Sequence, residues 1–215
     1  MIVSSAESEK EIYLMIEMLF ITDYVCPYCL VEKVAIEQAL EELGMEANIT
    51  YQPMELTEEP KERVDTYSDP KRREGYKVLY EPCKKLGLED MKLPPKVVPR
   101  PYTRLAFEGW YYACEQGKGD AYADKMYRAY FMDEKDIGEM DVLVELAESI
   151  GLAGKEYRAA LESGKYTEKE KAAVRYARNV LKPSCIPTIY INGEKVELKE
   201  YTKEEMIQIL EKYHD

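Results

Sequence analysis

The chain has 215 residues, 46% of them hydrophobic, which is enough for one large domain or a domain with a substantial insertion. Its formal net charge of −12 argues against nucleic acid and anionic membranes as partners, because both bind basic surfaces. Its apolar runs are too short for a transmembrane span, and Glu7, Glu9 and Glu11 are unlike the basic start of a secretory signal. We therefore expect a cytoplasmic protein.

The first part of the chain predicts a strand, a helix and a second strand. Apolar residues over 14–21 indicate a strand that is buried on both faces. Apolar residues at helical spacing follow from Cys29 onwards, and Gly44 supplies the stop. The segment 49–54 predicts a second strand, and Pro53 indicates that this strand ends there or lies at a sheet edge. Such a βαβ unit predicts a parallel pair of strands.

The middle of the chain, residues 62–166, predicts an all-helical insertion. Asp69 and Pro70 have the character of a helix N-cap and a first helical residue, and Pro82 should end or kink that helix. Several prolines within 92–101 then predict an extended connection. Further helical patterns, separated by glycines, lie near 102–116, 120–132, 140–150 and 155–163.

The end of the chain predicts a helix, a β-hairpin and a second helix. Thr167 and Thr202 each precede a glutamate at capping-box spacing, which predicts two helix starts. Between these helices, the dipeptide Asn192-Gly193 joins two short strand patterns, which is a strong hairpin signal.

The order of these elements predicts an α/β thioredoxin fold with an all-helical insertion. We expect residues 1–61 and 167–215 to form the thioredoxin-like domain. Residues 62–166 would form the helical insertion domain, which enters between the second strand and the helix before the hairpin.

The motif Cys26-Pro27-Tyr28-Cys29 lies where the first strand leads into the first helix. A strand before the pair and a helix that starts on it favour a redox couple over half of a zinc site. The first thiol would lie at a helix N-terminus, where backbone N–H groups and the helix dipole stabilise a thiolate. The motif therefore predicts a thiol–disulfide oxidoreductase without a bound metal, in which Cys26 is the nucleophile and Cys29 the resolving thiol. A zinc site would need ligands among the other cysteines and His214.

The chain has five cysteines, an odd total that does not indicate a disulfide framework. Cys185 lies two residues before Pro187, and it is either an accessory thiol near the redox pair or a small buried apolar residue. Cys83 and Cys114 lie in apolar helical patterns and are expected in the core. The aromatic cluster around Trp110 could line a substrate groove, but such clusters on helices are more often core.

Four segments resemble the DsbA family of thioredoxin-fold oxidoreductases and, more narrowly, its cytoplasmic FrnE-like branch of dithiol–disulfide isomerases. These segments are 23–29, 49–56, 121–131 and 186–193. The resemblance implies disulfide exchange through the cysteine pair with no other bound cofactor. The expected substrates are protein or small-molecule disulfides and dithiols, and glutathione or a thioredoxin system is the expected electron partner.

The resemblance also implies that the Ile186–Pro187 peptide bond is cis and lies beside the two sulfurs. Residues expected to bind and position the substrate are Pro27, Tyr28, Ile186 and Pro187. The backbone groups of Ile186 would pair with an extended substrate segment. Thioredoxin-like enzymes often carry a buried acid six residues before the nucleophile, where this chain has Phe20. The proton path to the resolving thiol is therefore unassigned.

Two other classes of function stay open. Kappa-class glutathione transferases and 2-hydroxychromene-2-carboxylate isomerases share this architecture, but they resemble a version with serine in place of the first cysteine. The intact cysteine pair favours the oxidoreductase. A third hypothesis is a non-catalytic chaperone or adaptor that binds through the helical insertion. Biological activity that survives replacement of both cysteines would distinguish this last class.

Overall fold

The computed structural model describes residues 15–213. Residue 14 of the predicted first strand, the acidic residues before it, and His214 lie outside the described residues. Among residues 15–213, no helix combines the length and the apolar character that crossing a bilayer requires.

A mixed four-stranded sheet forms the centre of the α/β part. Its strands are β1 (Ile16–Thr22), β2 (Ala47–Pro53), β3 (Thr188–Ile191) and β4 (Glu194–Val196). Their order is β2-β1-β3-β4, in which β1 and β2 are parallel and the other neighbours antiparallel. The predicted parallel pair is thus confirmed. Pro53 ends the edge strand β2, where a missing N–H is tolerated.

Strand β1 is buried on both faces only in its second half. Phe20, Ile21 and Thr22 are all buried. Glu17 is exposed, and its carboxylate accepts a hydrogen bond from the side-chain amide of Asn48 at 2.9 Å. The prediction of burial on both faces is therefore wrong for the first half of the strand, where a charged side chain faces solvent.

The helices follow the predicted order along the chain. They are α1 (Pro27–Leu43), α2 (Pro70–Gly75), α3 (Tyr80–Lys85), α4 (Arg104–Glu115), α5 (Gly119–Phe131), α6 (Met140–Ser149), α7 (Gly154–Glu162), α8 (Thr167–Tyr176) and α9 (Lys203–Leu210). Short 3-10 turns occur at Tyr76–Leu79 and Glu211–Tyr213, and a π-helical turn at Ala177–Leu181. Helices α2 to α7 lie between β2 and α8, so the helical insertion is confirmed. The predicted domain boundaries at residues 61 and 167 stay a prediction.

The helix predicted from Asp69 to Pro82 is in fact two helices. Asp69 caps α2 by accepting a hydrogen bond from the Lys71 N–H at 2.9 Å, and Pro70 is the first helical residue, as predicted. A 3-10 turn follows α2, and Pro82 lies in the first turn of α3. Because the N–H groups of a first turn have no partner inside the helix, proline is tolerated there. The predicted end at Pro82 is therefore wrong, whereas the α-helical geometry is interrupted by the 3-10 turn just before α3.

The two predicted capping boxes have different outcomes. The side chain of Thr202 accepts a hydrogen bond from the Glu205 N–H at 3.2 Å and caps α9, as predicted. Thr167 is instead the first residue of α8, and its hydroxyl donates to the buried carboxylate of Glu108 at 3.0 Å. The capping role predicted for Thr167 is wrong because Tyr166 is the N-cap residue and Thr167 already lies inside the helix.

Residues with positive φ end two elements where the sequence predicted them. Gly44 ends α1 with a φ of 63°. Asn192 and Gly193 form the turn of the hairpin with φ values of 49° and 85°. Two consecutive residues of this type match the right-handed twist of the flanking strands.

The aromatic cluster on α4 packs into the core between the sheet and the helical insertion. Trp110 contacts Tyr51 of β2 edge-to-face, with ring centroids 5.8 Å apart. Phe107 stacks on Tyr24, with centroids 4.4 Å apart. All four side chains are buried, so the interpretation as core is confirmed over the interpretation as a substrate groove.

Candidate active site

The cysteine pair lies at the junction between β1 and α1. Cys26 is the N-cap residue of α1 with an extended backbone (φ −94°, ψ 114°), and Pro27 follows as the first helical residue. The Cys26 N–H donates to the Asp23 carbonyl at 3.0 Å, which closes the turn after β1. Cys26 is 4% exposed and Cys29 is 0% exposed. The first sulfur therefore lies close to the surface at a helix N-terminus, and the second lies in the interior.

A second segment approaches Cys26 from the start of β3. The Ile186–Pro187 peptide bond is cis. The Cys26 thiol donates a hydrogen bond to the Ile186 carbonyl, with 3.8 Å between sulfur and oxygen. Both Ile186 and Pro187 are buried against this site. Two segments that are 160 residues apart in sequence thus meet at the first sulfur.

Tyrosines surround the exposed side of the pair. Tyr28 is half-buried, and its hydroxyl donates to the Gly75 carbonyl at 3.3 Å. Its ring lies 5.3 Å from the ring of Tyr201 and 6.5 Å from that of Tyr76. Partial burial raises the pKa of Tyr28, and the nearby Cys26 adds to the effect. Tyr76 and Tyr201 were not predicted as site residues, and no local sequence pattern marks them.

The Cys29 thiol lies in a buried environment. Burial raises the pKa of the Cys29 thiol well above its usual range, and Cys26 adds to the effect. A hydrogen bond from the hydroxyl of Thr22, the last residue of β1, lowers the pKa of Cys29. Phe20, at the position where relatives often carry an acid, is fully buried and contacts Tyr51 edge-to-face.

Asp23 supports the turn that carries Cys26. Its buried carboxylate accepts hydrogen bonds from the Leu56 N–H at 2.7 Å and the Val25 N–H at 3.4 Å. Burial raises the pKa of Asp23, whereas the Leu56 N–H and the charge of Arg100 oppose that effect. Arg100 is itself buried and donates to the Thr57 hydroxyl at 2.8 Å. Asp23 therefore supports the turn through hydrogen bonds from two backbone N–H groups.

The three remaining cysteines differ in exposure. Cys83 is buried, as predicted, and its sulfur lies 3.7 Å from that of Met91. Cys114 is exposed near the end of α4, so its predicted place in the core is wrong: the buried stripe of this helix ends at Ala113. Cys185 is also exposed, which contradicts the alternative of a small buried residue at this position. Its role as an accessory thiol stays a prediction.

Among residues 15–213, no group of three or more histidine, cysteine, aspartate and glutamate side chains is arranged to hold a metal ion. The two sulfurs of the pair, the Ile186 carbonyl and the surrounding hydroxyls are instead suited to thiol chemistry. Two neighbouring thiols, of which one can attack a substrate disulfide and the other can resolve the mixed disulfide, are the groups that disulfide exchange requires.

A buried carboxyl group lies one helical turn after the pair, on the face of α1 that packs against α9. Glu32 is 1% exposed, and its Oε2 has no hydrogen-bond partner among the described residues. Burial raises the pKa of Glu32 to about 8, and the charge of Glu205 adds to the effect. Since the ordinary pKa is 4.5, the folded protein binds the Glu32 proton across a pH range in which the unfolded chain has lost it. Stability therefore falls as the pH rises through this window.

We expect Glu32→Gln to remove part of this pH dependence, because glutamine is a neutral side chain of the same shape. When the pH rises from about 5 to about 8.5, wild type should lose about 2–4 kcal/mol more of its free energy of unfolding than Glu32→Gln loses. Urea unfolding at the two pH values measures this difference. Glu41→Gln, on the exposed side of the same helix, is the matched control. Equal pH dependence in wild type and Glu32→Gln would contradict the buried, protonated state of Glu32.

Comparisons with known proteins agree with the fold. The family model described as DSBA-like thioredoxin domain matches residues 17–206. The uncharacterised protein YwbO of Bacillus subtilis (strain 168) is 36% identical over 176 residues, which cover 81% of this chain and 86% of that protein.

Two solved structures are similar to the whole described fold. A probable DsbA oxidoreductase from Streptomyces coelicolor has a TM-score of 0.71 at 23% identity, covering 92% of this chain and 89% of that chain. The cytosolic disulfide reductase DsbM from Pseudomonas aeruginosa has a TM-score of 0.67 at 16% identity, covering 92% of this chain and 98% of that chain. These likenesses confirm the predicted thioredoxin fold with its helical insertion. The family match over most of the chain shows that this protein belongs to the DSBA-like thioredoxin family of thiol–disulfide oxidoreductases and isomerases.

Proposed function

We propose that the protein is a cytoplasmic, FrnE-like thiol–disulfide oxidoreductase or isomerase that acts through Cys26 and Cys29. The observation that carries this proposal is the position of the Cys26 sulfur, 3.8 Å from the Ile186 carbonyl at the N-terminus of α1. The nucleophilic sulfur of Cys26 and the backbone of Ile186 that would bind the substrate would then lie next to each other. Membership of the DSBA-like family supports the reaction class.

The reduced enzyme would act in two exchange steps. The Cys26 thiolate attacks a substrate disulfide R–S–S–R′, forms a mixed disulfide with R and releases R′–S⁻, which takes up a proton. The Cys29 thiol then loses its proton and attacks the Cys26 sulfur. This second step forms the Cys26–Cys29 disulfide and releases R–S⁻, which is protonated in turn. Two electrons pass from the enzyme to the substrate, and the same steps in reverse oxidise a dithiol.

Substrate positioning would depend on the predicted residues around the first sulfur. The buried Ile186–Pro187 segment offers backbone groups beside Cys26, so an extended substrate segment would add to it as a short strand. Pro27 fixes the start of the helix, and the half-buried ring of Tyr28 would contact side chains next to the substrate disulfide. Disulfides and dithiols of proteins or small molecules are the proposed substrates.

Glutathione is the proposed electron partner, with a thioredoxin system as the alternative. The similar DsbM protein has also been solved with GSH, which supports a small thiol at this kind of site. Cys185 is exposed and adjacent to Ile186, so we keep it as a proposed accessory thiol. The presence of cysteine rather than serine at position 26 favours disulfide exchange over the glutathione-transferase and isomerase alternative.

Trapping of a mixed disulfide tests the proposal. We expect Cys29→Ser, treated with oxidised glutathione, to accumulate a glutathionyl adduct on Cys26, because no resolving thiol removes it. Intact-mass spectrometry with peptide mapping measures the adduct and its position. Wild type should pass through the same adduct and end with the Cys26–Cys29 disulfide.

The matched control is Cys26→Ser, which should form no adduct at position 26 and no intramolecular disulfide with Cys29. Absence of an adduct on Cys26 in Cys29→Ser would contradict its role as nucleophile. An adduct that persists in wild type would contradict the role of Cys29 as resolving thiol.

A further inference from the structure

Three tyrosines from separate segments meet beside the redox pair, and we call them the tyrosine cluster. Tyr28 lies between the two cysteines at the start of α1, Tyr76 in the 3-10 turn after α2, and Tyr201 in the loop between β4 and α9. The centroid of the Tyr28 ring lies 5.3 Å from that of Tyr201 and 6.5 Å from that of Tyr76. The interplanar angles are 50° and 67°, so neither neighbour lies flat on the Tyr28 ring.

The tyrosine cluster is only partly covered by protein. All three residues are half-buried. In contrast, Tyr127 of the insertion is fully buried, and its hydroxyl is hydrogen bonded to that of Thr22. Covering the exposed part of an aromatic ring is favourable, most of all when another ring covers it. The cluster therefore offers aromatic surface beside the point where a substrate would reach Cys26.

The backbone at Tyr201 is strained. Its φ is 55°, in the left-handed region that bulky side chains rarely adopt. The carboxylate of Glu205 holds the preceding loop, because it accepts hydrogen bonds from the Lys199 and Glu200 N–H groups, both at 2.8 Å. Strained residues of this kind concentrate at active sites and at ligand-binding sites. The strain and the ring contact with Tyr28 together indicate that the ring at position 201 has a role beyond the fold.

The tyrosine cluster carries no charge near neutral pH. Burial raises the pKa of Tyr201 to about 12, and Cys185 adds to the effect. Burial also raises the pKa of Tyr28 and the pKa of Tyr76. The three phenols therefore stay protonated, and the rings present an uncharged surface. Such a surface suits an uncharged aromatic group better than an anionic one.

From these observations we propose that Tyr201 is a specificity-determining residue, and that the tyrosine cluster binds an aromatic side chain next to the disulfide of the substrate. The preferred substrates are then peptide or protein disulfides in which the attacked cysteine has an aromatic neighbour. The proposal rests on the proposed function, since it names the substrate group that the same site selects.

The selection acts on the first exchange step. The Cys26 thiolate forms a bond to one substrate sulfur, the bond between the two substrate sulfurs breaks, and the leaving thiolate takes up a proton. An S–S bond is about 2.05 Å long, so the attacked cysteine comes directly against Cys26. Since Tyr28 follows Cys26 by two residues, a side chain next to the attacked cysteine comes within reach of the tyrosine cluster.

Reduction of two matched peptide disulfides tests the proposal. They are the symmetric disulfides of N-acetyl-cysteinyl-phenylalaninamide and of N-acetyl-cysteinyl-serinamide, whose leaving thiols are alike. The reduced protein carries Cys114→Ser and Cys185→Ser, so that the two exposed cysteines cannot react. Acid quenching and chromatography measure the released peptide thiol over time. We expect the second-order rate constant to be about tenfold higher for the phenylalanine peptide than for the serine peptide.

Three substitutions at position 201 separate the ring from the fold. Tyr201→Ala should reduce the ratio of the two rate constants to about two, by slowing the phenylalanine peptide. Tyr201→Phe, which keeps the ring, should retain the ratio. Tyr201→Gly should lose the ratio as Tyr201→Ala does, although glycine adopts a φ of 55° without strain. Its urea midpoint should be at least that of Tyr201→Ala, so its loss of selectivity is not a folding defect.

The matched control is Tyr190→Ala. Tyr190 is also half-buried, but it lies on β3 and lines a cavity together with Leu19 and Leu181, away from the tyrosine cluster. This variant should keep the tenfold ratio. Tyr76→Ala should reduce the ratio only to about five, because the ring of Tyr76 lies farther from that of Tyr28 than the ring of Tyr201 does.

The possible failures are distinguishable. If the reduced protein releases no more thiol from either peptide than its Cys26→Ser variant does, the proposed function falls and this assignment falls with it. If it reduces both peptides at equal rates, or if Tyr201→Ala has the same ratio as Tyr190→Ala, the assignment alone is overturned. Faster reduction of the corresponding lysinamide peptide than of the phenylalaninamide peptide would also overturn it, because the cluster would then select a cation.

Discussion

Replacing Cys26 by serine is expected to reduce the catalysed reduction of insulin disulfides to the rate of dithiothreitol alone. The reason is chemical, since a thiolate is the nucleophile in disulfide exchange and a serine hydroxyl is not ionised near neutral pH. Cys26 also donates to the Ile186 carbonyl, so the substitution replaces the sulfur that lies between the start of α1 and the Ile186–Pro187 segment. Turbidity of the precipitating insulin B chain measures the rate.

Cys114→Ser is the control for this experiment, because Cys114 is an exposed cysteine near the end of α4. It should reduce insulin at the rate of wild type. Full activity in Cys26→Ser would contradict the proposed mechanism and move the nucleophile to another cysteine. An inactive wild type would contradict reductase activity towards proteins, and glutathione binding would then decide between a narrow-substrate enzyme and a binding module.

The second large effect concerns stability. We expect Asp23→Ala to lower the free energy of unfolding by about 2–4 kcal/mol near neutral pH, because a buried N–H group that loses its acceptor costs about 1–3 kcal/mol. The substitution would remove the acceptor of the Leu56 N–H and of the Val25 N–H. It would also loosen the turn that holds the Cys26 N–H. Urea unfolding measures the change.

The control is an aspartate at the surface that pairs with an arginine. Asp141 lies 2.5 Å from Arg158, but its side chain is 90% exposed. Asp141→Ala should therefore cost less than about 1 kcal/mol, since water screens the pair. Similar losses of unfolding free energy in the two variants would show that the burial of Asp23 does not determine its contribution to stability.

The parts of the site that the sequence predicts are those built from neighbours in the chain. An apolar strand, a turn and a helix around Cys26 form one continuous segment, so local periodicity and cap preferences were sufficient to place the pair. The hairpin turn at Asn192-Gly193 is predictable for the same reason, because its φ values depend on those two residues.

The parts that local reasoning missed depend on contacts between distant segments. Tyr127 reaches Thr22 across 105 residues, and neither side chain belongs to a pattern that specifies the other. Thr22 does carry one signal, as a polar residue at the end of an apolar strand, four positions before Cys26. Thr167 shows the converse: its spacing to Glu170 fits a capping box, but Tyr166 is the N-cap residue and the Thr167 hydroxyl donates to Glu108 on another helix.

The hydrogen bond between Thr22 and Tyr127 has a consequence for protein engineering. A minimal catalyst made by trimming α2 to α7 would keep the cysteine pair, the sheet and the Ile186–Pro187 segment. It would lose the phenol from α5, along with Arg100 in the connection before α4. The insertion is therefore not a detachable accessory, because it supplies buried hydrogen-bond partners to the strand that leads into the pair and to the loop after β2.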